Sequence, residues 1–423
     1  MTLQKELFRS SKDLWLFLGI ALFLFTCKVG FLYYRYTSFI SQKTPIVQGI
    51  VLKQYTKTKH NRTYQVLKLK TTSNLTIYTT ASKNFKNIQN RFVTLKLYPK
   101  HISFLDYLRG FYAKGWFLHV KSEHLLRSTL QKNIANQHKD PQLQQLYNAL
   151  FLAYPLSYKL YQHFASLGVT HLFAISGLHL GIITGVVFFL LSFLYTPFHK
   201  HFFPYQNKKR DIFLLTALVL FFYLEMLNYP PSLLRSYGMM VTGFVLYDRG
   251  YKIISLETLF ITAAILLILD PRLLFSYGFW LSVLGVFYIL LFLIHFPHLS
   301  FVKQLFLIPV WVYFMMLPTS LYLFRTFSLY HPFSIFLSIL FGIFYPLSLF
   351  LHLIGFGNLF DPFLNSLLSL KIFTCKVFLP TWVEMVFLFL SLWSIKNKKI
   401  LFLLFGLSLF IFFYALFEYY SIN

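Results

Sequence analysis

Acidic residues are what this sequence most conspicuously lacks. Its 423 residues hold 13 Asp and Glu against 39 Lys and Arg, a formal net charge of +26. From Arg35 to Leu105 there are 13 Lys or Arg and no acid. So one-sided a charge calls for an anionic counterpart, either lipid head groups or nucleic acid. Charge of any sign is also scarce, at 12% of residues beside 57% hydrophobic ones, which excludes an ordinary soluble globular protein. There are only two cysteines, Cys27 and Cys375, both in apolar segments, so neither a disulfide framework nor a cysteine metal site is expected. No G-x-x-x-x-G-K-[ST] run exists, so no ATP-driven motor is built in. No His-x-His-x-Asp-His run exists either; His199 and His201 flank Lys200 in a basic loop, and no Asp-His follows. No metal and no cofactor are therefore expected. Fixed-period repeats and low-complexity tracts are absent too.

Long apolar runs are what is present. The mean hydropathy is +0.59, and several windows of about 20 apolar residues can each cross ~30 Å of hydrocarbon. Leu14 to Tyr34 is the first. It is too long for a signal-peptide core and lacks a small-residue cleavage site, so it is read as retained. Lys5, Arg9 and Lys12 outnumber Glu6 and Asp13 in the tail before it, which puts the N-terminus in the cytoplasm by the positive-inside rule. From His171 onward the spans expected are 172–195, 212–229, 232–248, 253–269, 273–295, 304–324, 331–356, 363–379, 380–395 and 400–418. The sequence thus reads as a polytopic α-helical membrane protein with 10–11 spanning segments. The loops with Lys200, Lys208, Lys209 and Arg210, and with Lys396 to Lys399, are expected on the cytoplasmic side. Segment 363–379 carries Lys371 and Lys376 and reads equally as a re-entrant or interfacial helix.

The chain divides accordingly: 1–38 is the tail and first span, 39–112 an external β domain, 113–170 amphipathic interfacial helices, and 171–423 the membrane bundle. In 39–112 short runs alternate with polar turns. Val93, Leu95 and Leu97 fall on one side of RFVTLKLY, and Thr94, Lys96 and Tyr98 on the other, the period of a half-buried strand. Four or five such strands fit a small OB-type barrel. Its solvent face would combine lysines with Tyr55, Tyr64, Tyr78 and Phe85. A basic groove with stacking rings is how OB-folds hold single strands, so Lys53, Tyr55, Lys57, Arg62, Tyr64, Lys68, Lys70, Tyr78 and Lys96 are the candidate DNA-binding residues. A β domain kept soluble by its lysines, or one that grips anionic lipid, fits the same composition.

Polar residues at membrane depth are costly and need a reason. His171 to Gly181, HLFAISGLHLG, stands at the entrance of a span. As a helix it would put Gly177, Gly181 and Gly185 on one face suited to close helix approach, with Ser176 and His179 three residues apart beside them. The polar pair can line an aqueous path, or it can satisfy backbone groups at a tight crossing. An intramembrane serine hydrolase would also use a Ser–His pair, but no base, oxyanion hole or acidic orienter is recognisable. In Pro230 to Met239, Arg235 sits one turn into a helix. It can pair with Glu225 at the end of the preceding span or face passing phosphates. Asp270 to Ser282 is a polar turn followed by a helix bearing Gly278 and Ser282. Pro318, followed by Thr319 and Ser320, interrupts a later span.

These motifs, in this order, resemble the ComEC-type competence proteins. GVTHLFAISGLHLG, Gly168 to Gly181, follows that family's pattern almost position by position. PPSLLRS, Pro230 to Ser236, is similar to its Pro-Ser-x-x-Arg-Ala element with Ser for Ala. DPRLLFSYGFWLS, Asp270 to Ser282, is similar to the next, with Trp280 where Gln is common. The resemblance implies transport of single-stranded DNA across the inner membrane into the cytoplasm during natural transformation, without enzymatic activity. It implies a DNA path through His171, Ser176, Gly177, His179, Gly181, Arg235 and Ser282. As partners it implies single-stranded DNA, the inner membrane, a periplasmic DNA receptor and a cytoplasmic ATP-driven motor, and it leaves room for a homo-oligomer. Many members carry a C-terminal metallo-β-lactamase-like domain; this chain stops at Asn423, so degradation of the other strand is expected elsewhere. Ser334 and Ser338 stand where the family often has an Asn. A lipid or polysaccharide transporter is the alternative.

Overall fold

A computed structural model describes residues 10–422 apart from 60, 61, 90, 100, 122–124 and 174. Lys5 and Arg9 of the expected cytoplasmic tail, and Ala174 of the histidine motif, lie outside the described residues. The chain forms two compact units, residues 6–132 with 260–279, and residues 133–259 with 280–423.

The first unit is built on helix α1 (Ser11–Ser41). Ser10 caps it, its side chain accepting from the Asp13 amide while the Asp13 carboxylate takes the Ser10 amide, the reciprocal box that starts helices. With 31 residues the helix is about 46 Å long, well beyond the ~30 Å of hydrocarbon. Its last turns enter the β domain. The Tyr36 hydroxyl donates to the Ile102 carbonyl at 2.8 Å, and Phe39 packs on Tyr107 and Phe111.

Strands β1 (Ile46–Lys59), β2 (Arg62–Thr71) and β3 (Thr76–Ala81) form an antiparallel meander, and β4 (Phe92–Tyr98) lies on the other side of β1. Helix α2 (Phe104–Arg109) follows. Then β5 (Phe111–Tyr112) pairs parallel with β3, and β6 (Lys114–Val120) pairs antiparallel with β4. Only Ala113 separates β5 from β6. Taken as one strand they carry the ladder from β3 round to β4, which gives the connectivity of a five-stranded OB-type barrel. The sheet therefore runs past residue 112, the expected limit of the β domain. Val93, Leu95 and Leu97 are buried at 0–1% exposure and join Val51, Leu67, Leu69 and Ile77 in the core. Gly49 is required where β1 crosses β2, since a Cβ there would lie 2.5 Å from the Lys70 carbonyl oxygen.

Phe85, expected on the solvent face, points the other way. Gln65 donates to the carbonyls of Lys83 and Phe85, and Gln54 accepts from the Ile88 amide. This folds the 83–88 loop over the barrel end and sets Phe85 on Phe117, 4.9 Å between centroids.

Helix α3 (Leu125–Ala135) leads into the second unit. There α4 (Pro141–Leu152), α5 (Tyr158–Ser166) and α6 (Thr170–Phe173) are short. The long helices follow: α7 (Gly177–Phe202), α8 (Lys208–Met226), α9 (Pro231–Asp248) and α10 (Leu256–Leu269), whose end belongs to the first unit, then α11 (Tyr277–His295), α12 (Phe301–Phe324) and α13 (Phe333–Leu353). Among the described residues six helices, α1, α7, α11, α12, α13 and the terminal one, are long and apolar enough to cross a membrane, and two shorter ones are apolar. The protein is thus a multi-pass membrane protein.

Segment 363–379 does not span. It holds α14 (Asp361–Ser369) and then extended chain in which β8 (Cys375–Lys376) pairs with β7 (Thr326–Phe327). Nine residues make about 13 Å of helix, and Lys371 and Lys376 would be costly inside hydrocarbon. Helices α15 (Thr381–Trp393) and α16 (Lys398–Ile422) complete the chain. Tyr288, Phe292, Trp311, Met315, Phe387, Leu401 and Leu404 tie α11, α12, α15 and α16 together.

Candidate functional site

The outer face of the barrel is set by strand register. Val51 opposes Leu69 inside the core. A bulge between Val51 and Lys53 then switches parity, as bulges do, and turns Lys53, Tyr55 and Lys57 outward. Lys53 pairs with Lys68, Tyr55 with Val66 and Lys57 with Tyr64. Lys68 pairs in turn with Tyr78 and stands over its ring at 5.7 Å, while Lys53 stands over Tyr55 at 5.9 Å. Arg62 opposes Lys59, Lys70 opposes Ile50 and Lys96 opposes Ile46. All nine residues singled out from the sequence thus share one face, exposed or half-buried. Charges there, Lys70 apart, keep most of their hydration and remain available to a ligand. Planar tyrosines between cations at this spacing offer stacking platforms beside phosphate-binding groups.

One of the nine is also engaged elsewhere. Burial pulls the Lys70 ammonium below its ordinary pKa; nearby Asp270 pulls it back up, and Arg272 and Lys68 push it further down. Asp270 and Arg272 belong to the polar turn noted in the sequence, and they contact the β2–β3 turn. The Arg272 guanidinium donates to the carbonyls of Ser73, at 3.1 Å, and Asn74, at 2.7 Å. The Asn74 amide donates to the Asp270 carboxylate.

The histidine motif lies in the second unit. Ser176 caps α7, and His179 sits at the third helical position. The Ser176 amide donates to His179 Nδ1 at 3.1 Å, and the Ser176 hydroxyl lies 3.0 Å from the same nitrogen. His179 thus does what a glutamate does in a capping box. Its ring is fully buried, edge-on to Phe341 at 5.0 Å and Tyr345 at 4.6 Å on α13. Ser176 and His179 are therefore brought together, the His179 ring in an aromatic box and Ser176 half-buried beside it.

His171 is exposed, its Nε2 3.3 Å from the Ser338 hydroxyl. Gly177 lies against α9, where a Cβ would sit 3.2 Å from the Ser236 hydroxyl. Gly181 and Gly185 meet nothing within 4 Å, so only the first of the three glycines serves a helix crossing. Arg235 is buried on α9, and Glu225 is exposed on α8. Ser282 is half-buried on α11.

Sequence reasoning missed two polar clusters in the second unit. His138 Nδ1 lies 2.9 Å from the Asp361 carboxylate, and its Nε2 lies 2.9 Å from His352 Nε2. His352 Nδ1 faces the Ser348 carbonyl at 2.7 Å, which can only accept. A neutral His352 then presents a bare Nε2, so the proton between the two rings comes from His138. Gln137 bonds the His352 carbonyl and the Gly357 amide, and Tyr147 stacks on His138 with 4.2 Å between centroids. In the second cluster the Thr319 hydroxyl donates to buried Glu384 at 2.7 Å. The signal in each case was one polar side chain in an apolar helix, His352 or Glu384. No group of three or more His, Cys, Asp or Glu suited to hold a metal occurs among the described residues.

Comparison with known proteins gives one family and two relatives. The family model described as "Competence protein" matches residues 155–418. An uncharacterized protein of Aquifex aeolicus (strain VF5) is 30% identical over 128 residues, covering 30% of this chain and 27% of the relative. ComE operon protein 3 of Bacillus subtilis (strain 168) is 30% identical over 170 residues, covering 39% of this chain and 20% of the relative. The chain thus matches about a quarter or less of the length of these curated relatives. No solved structure matches.

Proposed function

This chain belongs to the competence protein family, and on that premise we propose that it carries single-stranded DNA across the inner membrane into the cytoplasm during natural transformation. It acts as a transporter and not as an enzyme. The barrel lies in the periplasm, a receptor there delivers DNA, and a cytoplasmic ATP-driven motor draws the strand in. The similarity to ComE operon protein 3 supports the assignment.

The observation that carries it is the outer face of the barrel, where Lys53, Lys57, Arg62, Lys68 and Lys96 alternate with Tyr55, Tyr64 and Tyr78. Cations meet the phosphates and rings take the bases, without reading sequence. The strand then reaches the helical bundle, where His171, Ser176 and Arg235 border its path and His179 holds the mouth of α7 in shape. Clean deletion of the protein should abolish labelled DNA in the cytoplasm while leaving DNA uptake into the periplasm intact. Binding of single strands by the full-length protein in nanodiscs should weaken with salt by about −0.7 per neutralised phosphate on log axes. Normal DNA entry in the deletion strain would refute the assignment. A salt-independent affinity, or a preference for anionic vesicles over DNA, would favour a lipid transporter.

A further inference from the structure

We infer that the Asp270–Arg272 turn is a docking latch that holds the barrel in one orientation, so that it works as a fixed port and not as a swinging tether, with Arg272 as the positioning residue. The inference rests on the reading that the outer face takes up single-stranded DNA.

A barrel joined to the membrane through α1 alone could pivot about that helix. The structure gives it a second attachment. Arg272 spends its guanidinium on two main-chain carbonyls of the β2–β3 turn. Asn74, held in the left-handed conformation at φ 63°, returns a bond to the Asp270 carboxylate. That carboxylate also caps the Arg272 amide at 3.3 Å, so donor and acceptor are set by one turn. Arg109 of α2 stacks over Phe275 at 4.7 Å and closes the other flank. The partners of Arg272 are backbone atoms, so the latch recognises the shape of the turn. Planar, forked donors suit that task better than a lysine. The same turn ends α10, whose Phe260 packs on Phe17 of α1 at 5.9 Å. Two helices in mutual contact therefore hold the barrel at two places, and rotation about either one is blocked. Asp270 also lies near Lys70, so its charge offsets part of that lysine's on the ligand face.

The test uses the full-length protein with Cys27→Ser and Cys375→Ser, in native membranes, carrying Asn74→Cys and Asp270→Cys. A short bis-methanethiosulfonate should bridge the pair in high yield, and the bridged protein should still admit labelled DNA to the cytoplasm. Failure to bridge would overturn docking, and a bridged protein that blocks entry until reduced would overturn the fixed port. Arg272→Ala should lower DNA entry by about tenfold or more, since it removes two charged hydrogen bonds and one is already worth about tenfold, with single-strand binding by the membranes unchanged and Arg272→Lys in between. Entry unaffected by Arg272→Ala would refute its positioning role. A parallel loss of binding and entry marks misfolding, and the bridging experiment then decides. If deleting the whole protein leaves entry intact, the DNA reading fails while the bridging yield still judges the latch.

Discussion

The barrel and the helical bundle place their polar groups in opposite ways. In the barrel Val51, Leu67, Leu69, Val93 and Leu95 fill the inside, and the cations stand outside. In the bundle the helices turn Phe and Leu outward, while His179, His138, Glu384 and Thr319 are buried. A charge on the barrel face, Lys70 apart, loses little hydration and can meet a ligand. A polar group in the bundle has left water, so it needs a partner inside the protein. Identical residue types therefore carry different meanings. Lysine and tyrosine on the barrel report what the protein binds, and histidine in the bundle reports first what holds it together.

The contrast can be broken at three places. Asp361→Ala should have the largest effect. It strands buried His138 beside His352, and leaving a buried polar group without its partner costs about 1–3 kcal/mol. Thermal unfolding in detergent should show a large drop in Tm, partly restored by adding His138→Leu. A Tm equal to wild type would mean the bundle tolerates unpaired polar groups as the barrel does. His179→Leu comes next. It keeps the volume but removes the acceptor for the Ser176 amide, for about 1–2 kcal/mol. Loss of DNA entry at unchanged Tm would return His179 to the lumen and erase the contrast. The smallest effect on stability belongs to the barrel face. Replacing Lys53, Lys57 and Arg62 by Gln should shift stability by no more than about 0.5 kcal/mol. The salt slope of single-strand binding should meanwhile fall by about 0.7 for each phosphate no longer neutralised. Lys70→Gln should change that slope less than Lys68→Gln, because Lys70 already faces Asp270.

What can be read from the sequence follows the same division. The alternation through Val93, Leu95 and Leu97 is local, and a strand period carries its own face assignment, so the nine basic and aromatic residues emerge together. The strand Lys114–Val120 is hidden because Gly115 and the mixed charges around it interrupt the alternation. Phe85 is misplaced by the local pattern because the glutamines that fold its loop lie on other strands. Membrane helices are legible from hydropathy, yet 363–379 has enough apolar residues to mimic a span and is stopped by its lysines and by pairing with β7. The bundle's polar contacts are the least legible. His138 meets His352 and Asp361 across more than 200 residues, and no local period encodes such a meeting. The GVTHLFAISGLHLG motif marks the right place for a helix start, but its glycines do not reveal that only Gly177 is pressed against a neighbour.

The continuous helix Ser11–Ser41 has a geometric consequence. Each residue of an α-helix advances about 1.5 Å and turns about 100°. Because Tyr36 and Phe39 pack against the barrel core while Phe17 packs on α10, the helix works like a keyed shaft. Inserting one residue between Phe17 and Tyr36 would swing the barrel by more than a quarter turn, away from the Asp270–Arg272 turn. The direction in which the basic face looks is thus written in the number of residues in that stretch and hardly at all in which residues they are.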